Sequence, residues 1–295
     1  MTTPSRRFGW VLNLDAEYEL ARPDPGYNPS AKLTSQLEQY GAGSRALLGP
    51  DDVLVQRGTK AEPGLTGRAW CPTPGAVALL KAAGVTPEPH PAASVLRRVN
   101  HRRFAVELGG GLPGQRYVED RATVDALLAS REHAWLLKRP LAFAGRGQLR
   151  AYGTLSDKEQ AWIDSSLRSG GMIVEPLVTP TLELSLHGFV WQNGAFELGR
   201  ACVQEVSARS VFRGVRLAGN DELMTAERRA LFEQGERVAR ALSGAGYFGP
   251  FGIDAYRYEL DKASGFCALG EINARYTMGF VTGFPRPTNE LTLEE

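Results

Sequence analysis

Cysteine is scarce in this chain, and so are histidine and long apolar runs. The three cysteines, Cys71, Cys202 and Cys267, lie far apart with no CxxC pair among them. That spacing excludes a zinc-ribbon motif and a disulfide framework, and it fits a reduced, cytoplasmic protein. The four histidines (His90, His101, His133 and His187) are scattered, and their spacing assembles no Ser–His–Asp set. Each reads as surface or packing. No apolar run approaches the about 20 residues that a spanning helix needs. The opening MTTPSRRFGWVLNLD holds a short apolar stretch broken by Asn13, too polar for a signal segment. Charge of one sign is missing too: 34 Lys and Arg face 33 Asp and Glu, a net charge of +1. No global field that would recruit nucleic acid or an acidic membrane is expected. The five tryptophans are spread out as core or rim residues and form no stacking ladder. There is no internal repeat and no GxxxxGK[ST] phosphate loop.

What remains is an ordinary globular composition, 43% hydrophobic and 23% charged over 295 residues, room for two modest domains or one larger one. Apolar runs predict strands at Phe8–Leu14 and Asp52–Gln56, and apolar periodicity predicts helices at Ser30–Leu48 and Thr73–Ala83. This alternation suggests a small α/β domain over residues 1–95, closed by the proline-rich TPEPHP at 86–91. Further on, helices are predicted at Ala92–Leu108, Thr123–Ser130, Ser156–Arg168 and Thr225–Leu242, the third opened by an S-x-x-E capping box. Strands follow the GGGLPG break, then at Ala134–Lys138 and Met172–Val178. Two hairpins, Leu184–Trp191 with Phe196–Val206 and Phe251–Glu259 with Phe266–Asn273, give the later part an α+β character. The polar tail at 284–295 is expected to fray.

The sharpest chemical signal is in the last hairpin. A turn centred between Lys262 and Ala263 sets Asp254 opposite Glu271. Like charges opposed across strands weaken a sheet by about 0.2–1 kcal/mol. Asn273, two residues beyond Glu271, shares its face. Two carboxylates and an amide oxygen on one face suit a hard divalent cation such as Mg²⁺, which shares its shell with waters and phosphates. The alternative is a solvated outer face; the apolar surroundings, GPFGIDAYRY and CALGEINAR, count against it.

Upstream, Lys138 ends the apolar strand WLLK, and the loop Ala142–Gln148 carries Gly145 and Gly147. A lysine beside glycines that let backbone N–H groups approach can grip a polyphosphate; an ordinary turn with a surface lysine is the other reading. MIVEPLV (172–178) offers apolar surface for an adenine ring, with edge contacts left to Glu175 and Leu177 because Pro176 has no donor. Glu183 is placed to accept from ribose hydroxyls. A buried strand ending in an exposed acid is the plainer alternative. Asp15, Glu17 and Glu19 follow the first strand and read as a solvated helix start.

The order NHRRF (100–104), KRP…AGRG (138–147), VEPLV (174–178), GYFGPFGID (246–254) and EINAR (271–275) resembles the ATP-grasp superfamily over residues 96–283. The resemblance implies a small N-terminal α/β domain followed by a two-lobed ATP-grasp fold with mixed and antiparallel sheets, its lobes near 96–171 and 172–283. It implies that Lys138 contacts ATP phosphates, with Arg102 or Arg103 available as a second phosphate contact, and that the Ala142–Gln148 loop, with Gly145 and Gly147, closes over them. Glu175 and Leu177 would meet adenine, Glu183 ribose, and Asp254, Glu271 and Asn273 would hold Mg²⁺. Arg275 would stabilise the charged intermediate. Arg102 stands where the superfamily usually has lysine, and EINARYTMGF lacks the proline-glycine ending of certain dipeptide ligases.

The activity implied is ADP-forming: a small-molecule or peptide carboxylate becomes an acyl phosphate, and an amine displaces the phosphate. In SARSVFRGVR, Arg209, Arg213 and Arg216 are candidates to hold the carboxylate or acyl phosphate, Arg209 foremost, each alternatively a surface arginine. A kinase phosphorylating a hydroxyl and a non-catalytic nucleotide-binding module are the rivals. A homodimer is the base-rate expectation for assembly.

Overall fold

The computed structural model describes residues 7–22, 27–30, 33–35, 37, 43–129, 134–142, 146–206, 212–288, 291 and 293. Among these described residues, three sheets organise the chain. In the first, β1 (Phe8–Val11) lies between β2 (Val53–Leu54) and β3 (Thr66–Ala69), with β4 (Thr86–Pro87) outermost, all parallel. β1 is buried along its whole length, the apolar pattern of a central parallel strand. A short α1 (Ala16–Leu20) follows it. Helix α2 (Pro74–Ala82) starts at Thr73, whose hydroxyl accepts from the Ala76 amide, with Pro74 in the first turn. The predicted connector at 86–91 is thus partly strand, since Thr86 and Pro87 pair with β3. Much of the predicted helix Ser30–Leu48 lies outside the described residues; its end, Arg45–Leu47, is a 3-10 turn.

The single helix predicted over Ala92–Leu108 is two, α3 (Ala93–Asn100) and α4 (Arg102–Leu108). His101 breaks it with extended backbone, and its ring caps α4 by accepting from the Arg103 amide at 3.3 Å. An antiparallel sheet follows, ordered β5 (Arg116–Val118), β8 (Met172–Pro176), β6 (Trp135–Lys138), β7 (Gln148–Ala151). Helices α5 (Arg121–Ala129) and α6 (Asp157–Arg168) cover it through Val124, Ile163, Leu137 and Met172. The capping box at Ser156 and Glu159 opens α6 as its sequence predicts.

The third sheet is antiparallel and ordered β11 (Phe212–Leu217), β10 (Phe196–Val206), β9 (Thr179–Val190), β12 (Gly249–Leu260), β13 (Ala263–Asn273). Helix α7 (Thr225–Gly244) buries Leu231, Val238, Ala239 and Leu242 in the same core as Leu184, Leu186 and Ile253. A short α8 (Phe280–Gly283) ends the regular structure. β8 belongs to the second sheet and β9 to the third, so the chain passes from one sheet to the other at Leu177–Val178.

The tail does not fray as expected where it is described. Phe284, Leu291 and Leu293 are buried, and the Arg68 guanidinium donates to the carbonyls of Thr288 and Leu291. Apolar side chains spaced through a polar stretch anchor it, and one core cluster runs from Phe8 and Trp10 to Phe280 and Leu291. Among the described residues, no helix is long and apolar enough to cross a membrane.

Candidate active site

The β12–β13 ribbon turns through Asp261 and Lys262, both with positive φ (49° and 70°), the backbone of a two-residue hairpin loop. Near the turn, Tyr256 pairs with Cys267; further along, Asp254 pairs with Glu271 and Gly252 with Asn273. Asp254, Glu271 and Asn273 therefore share one sheet face. The adjacent strand β9 sets Ser185 opposite Asp254 and His187 opposite Gly252, and Glu183 opposite Tyr256. In this polar stripe Glu183, Asp254, Glu271 and Asn273 are partly exposed, Ser185 and His187 are buried, and Leu184, Leu186 and Ile253 on the opposite face lie in the core.

Both carboxylate oxygens of Asp254 accept from amides, Oδ1 from Gln204 at 2.7 Å and Oδ2 from Asn273 at 3.0 Å. Burial first, then the neighbouring Glu271 carboxylate, pushes the Asp254 acid up to about 6. A charged group that its surroundings make costly to ionise is one that a cation would favour. The donor set of two carboxylates and an amide oxygen fits a hard divalent ion. Among the described residues no cluster of three or more His, Cys, Asp or Glu is poised for a metal. Such an ion would complete its shell with phosphate oxygens and water.

The predicted site cations Arg102, Lys138 and Arg275 are each paired. Arg102, on α4, donates from one terminal nitrogen to Glu271 Oε1 at 2.8 Å. Its other terminal nitrogen donates to the Arg139 carbonyl at 2.6 Å. Lys138 on β6 pairs with Glu175 on β8, whose second oxygen accepts from Gln115 at 2.6 Å. Register explains that pairing: Glu175 stands opposite Leu136, two residues from Lys138 and so on its face. Arg275 donates to Glu17 Oε1 at 2.5 Å, to Asn273 Oδ1 at 3.0 Å and to the Tyr276 carbonyl, with the Trp70 ring 5.3 Å away.

Some sequence expectations need correction. The Leu177 amide is bonded to the Ala134 carbonyl at 2.7 Å, so it is not a donor for a base edge. Glu17 and Asp15 are buried, not solvated, because each has a partner: Glu17 takes Arg275, and Asp15 accepts from the Tyr27 hydroxyl. Glu19 accepts from Thr73 Oγ1 and the Gly75 amide, at the start of α2. Arg216 is excluded as a substrate contact, since it is opposite Val203, whose face is the core, and is bound to Glu222. Arg213 is exposed and sits at the irregularity of the β10–β11 ladder, between Gly214, which pairs with Glu205, and Phe212, which pairs with Val206. Arg209 and Gly145 lie outside the described residues. Gly147 has φ 64°, and its carbonyl accepts from the Arg139 amide at 2.8 Å, closing the base of the loop.

In the sequence Gln204 carries no signal, Asn100 enters only within NHRRF, and His187 reads as surface or packing. The Asn100 side chain accepts from the Ala274 amide at 2.8 Å and donates to the Ala274 carbonyl, fixing the segment between Asn273 and Arg275. His187 is buried between the Ser185 and Thr277 hydroxyls at 3.1 and 2.9 Å, and burial lowers its pKa to about 4. Only the alternation Leu184-Ser185-Leu186-His187, polar residues on a buried strand, hints at that last role.

The three sheets together match the fold of solved ATP-grasp structures. No family model and no curated protein sequence matches the chain. Solved structures do. N5-carboxyaminoimidazole ribonucleotide synthetase from Thermus thermophilus superposes with a TM-score of 0.54 at 18% identity, over 96% of this chain and 76% of that one. The Staphylococcus aureus N5-carboxyaminoimidazole synthetase, complexed with ADP, gives 0.56 at 12% identity, over 98% and 79%. D-alanyl-alanine synthetase A from Vibrio cholerae gives 0.55 at 11% identity, over 96% and 93%.

Proposed function

We propose that this chain is an ADP-forming ligase that uses Mg²⁺-ATP to activate a carboxylate as an acyl phosphate and joins it to an amine. The carrying observation is the stripe itself: Asp254 and Glu271 directly opposed, Asn273 on the same face, and Asp254 made costly to ionise by that placement. Asp254, Glu271 and Asn273 would hold Mg²⁺, which supplies Lewis-acid neutralisation of phosphate charge. Lys138 and Arg102 are set to meet phosphate oxygens, and Glu183 to accept from a ribose. The backbone between Pro176 and Val178, where the chain passes from the second sheet to the third, would present carbonyl groups to the base edge. Arg275, bound to Asn273, and the exposed Arg213 would lie where carboxylate and phosphoryl group meet. They would stabilise the negative charge that develops there.

The solved structures of similar fold carry names of synthetases, one of them holding ADP, which supports this class of chemistry. A cytoplasmic location and a homodimeric assembly belong to the same proposal; the three buried free cysteines suit a reducing compartment. The test is a hydroxylamine trap across a panel of metabolite and peptide carboxylates. A ligase yields hydroxamate with ADP, whereas a kinase yields a stable phosphate ester and no hydroxamate.

A further inference from the structure

Three site cations are each matched to a carboxylate: Lys138 to Glu175, Arg275 to Glu17, and Arg102 to Glu271. The last pair differs from the other two because its acid is also a proposed metal ligand. Arg102 Nη2 and a divalent ion compete for the same oxygen, Glu271 Oε1, 2.8 Å from the guanidinium. Among the described residues, the remaining contacts of Arg102 are neutral: the carbonyls of Arg139 and Ala142, and a backbone bond from its own amide to the Pro140 carbonyl. Its Nε is buried without a partner. Take Glu271 away and the guanidinium keeps its carbonyl bonds but loses the counter-charge it is paired with, a position that a phosphate chain would fill. Arginine suits this better than lysine, since its planar fork can hold the loop carbonyls with one nitrogen and an anion with another.

We infer that Arg102 is a positioning residue that withholds Glu271 from divalent metal until nucleotide phosphates take its place, so that metal binding is conditional on nucleotide. This rests on the Mg²⁺-ATP reading above. The arginine reaches from α4 to the base of the Arg139–Gly147 loop, so the exchange would also couple that loop to the β12–β13 ribbon. By linkage, the factor by which nucleotide raises the affinity for metal is also the factor by which metal raises the affinity for nucleotide.

The experiment is Mn²⁺ binding to the full chain, read from the loss of the free-ion electron paramagnetic resonance signal, with and without a non-hydrolysable ATP analogue. For the parent chain, Mn²⁺ alone should bind weakly and the analogue should tighten it at least tenfold. In Arg102→Met, Mn²⁺ alone should bind about tenfold tighter than in the parent. Arg102→Lys, which keeps the charge but not the fork, should fall between the two and guards against a folding defect in the methionine variant. Unchanged or weaker binding of Mn²⁺ alone in a folded Arg102→Met or Arg102→Lys chain overturns the inference and leaves the nucleotide reading standing. Failure of the parent to bind Mn²⁺ even with the analogue overturns the nucleotide reading itself, and the inference with it.

Discussion

Asp254 faces Glu271 only because the β12–β13 ladder slips between Asp254 and Tyr256. From Tyr256 to Asp254 β12 advances two residues, while β13 runs four, from Cys267 to Glu271. Without that irregularity the register set by the Asp261–Lys262 turn would put Asp254 against Leu269. Because the excess is two residues, faces are preserved and only the pairing shifts. The Leu269 amide of the bulged stretch donates to the Gly110 carbonyl at 3.0 Å. At Gly270 a Cβ would meet the Tyr256 ring at 2.7 Å and the Asp254 carbonyl at 3.3 Å.

Gly270 is therefore expected to set the site's geometry. Gly270→Ala should cost about 1–3 kcal/mol by overpacking and weaken Mn²⁺ binding in the presence of an ATP analogue by an order of magnitude. Urea denaturation and an Mn²⁺ titration check this together. Parent-like metal affinity in that variant would remove the bulge from the account.

Glu271→Gln keeps shape and loses charge. ATP turnover should fall at least about a hundredfold, in line with the loss of a group that neutralises phosphoryl-transfer charge. Its circular dichroism and cooperative unfolding should stay close to those of the parent. Parent-like turnover would count heavily against the metal assignment.

The pH dependence of Asp254 has a definite sign. Its folded pKa, about 6, stands above the ordinary 3.8, so the folded state favours the protonated form. From this group, stability should be greatest below pH 4 and should decline as pH rises through 6. In chelator at pH 7.5, Asp254→Asn should be more stable than the parent by on the order of 1–2 kcal/mol, a gap that closes near pH 4. Mg²⁺ with an ATP analogue should reverse the order, since the variant cannot hold the ion. A parent more stable than the variant in chelator at pH 7.5 would contradict the assignment.

Lys138 and Glu175 form a buried pair, so removing one partner leaves a charge stranded. Lys138→Ala should destabilise the fold by about 3 kcal/mol and weaken ATP binding. Adding Glu175→Gln to it should restore much of the stability and none of the ATP affinity. Calorimetry of nucleotide binding beside thermal unfolding separates the two effects. Unchanged ATP affinity in Lys138→Ala would sink the phosphate role.

The long elements were legible because their patterns are strong: the 20-residue helix α7 and the hairpin β9–β10 both follow from apolar period and turn residues. Short strands such as Thr66–Ala69, Gln148–Ala151 and Phe212–Leu217 were not, since four to six residues of mixed polarity carry no period. The opposition of Asp254 and Glu271 was read correctly through a turn placed one residue too far along, and the slip in β13 made up the difference. The Arg275–Glu17 pair spans 258 residues of chain, and no local pattern announces it. Gln204 looks like any polar residue at a strand end until the register of β10 and β9 sets it beside Asp254.

The most direct test of the central claim follows oxygen. With a carboxylate substrate found in the hydroxylamine panel and labelled with ¹⁸O, the phosphate released with ADP should carry one labelled oxygen per turnover. Glu271→Gln should abolish that transfer. Unlabelled phosphate, or AMP and pyrophosphate as products, would contradict activation of the carboxylate by phosphoryl transfer.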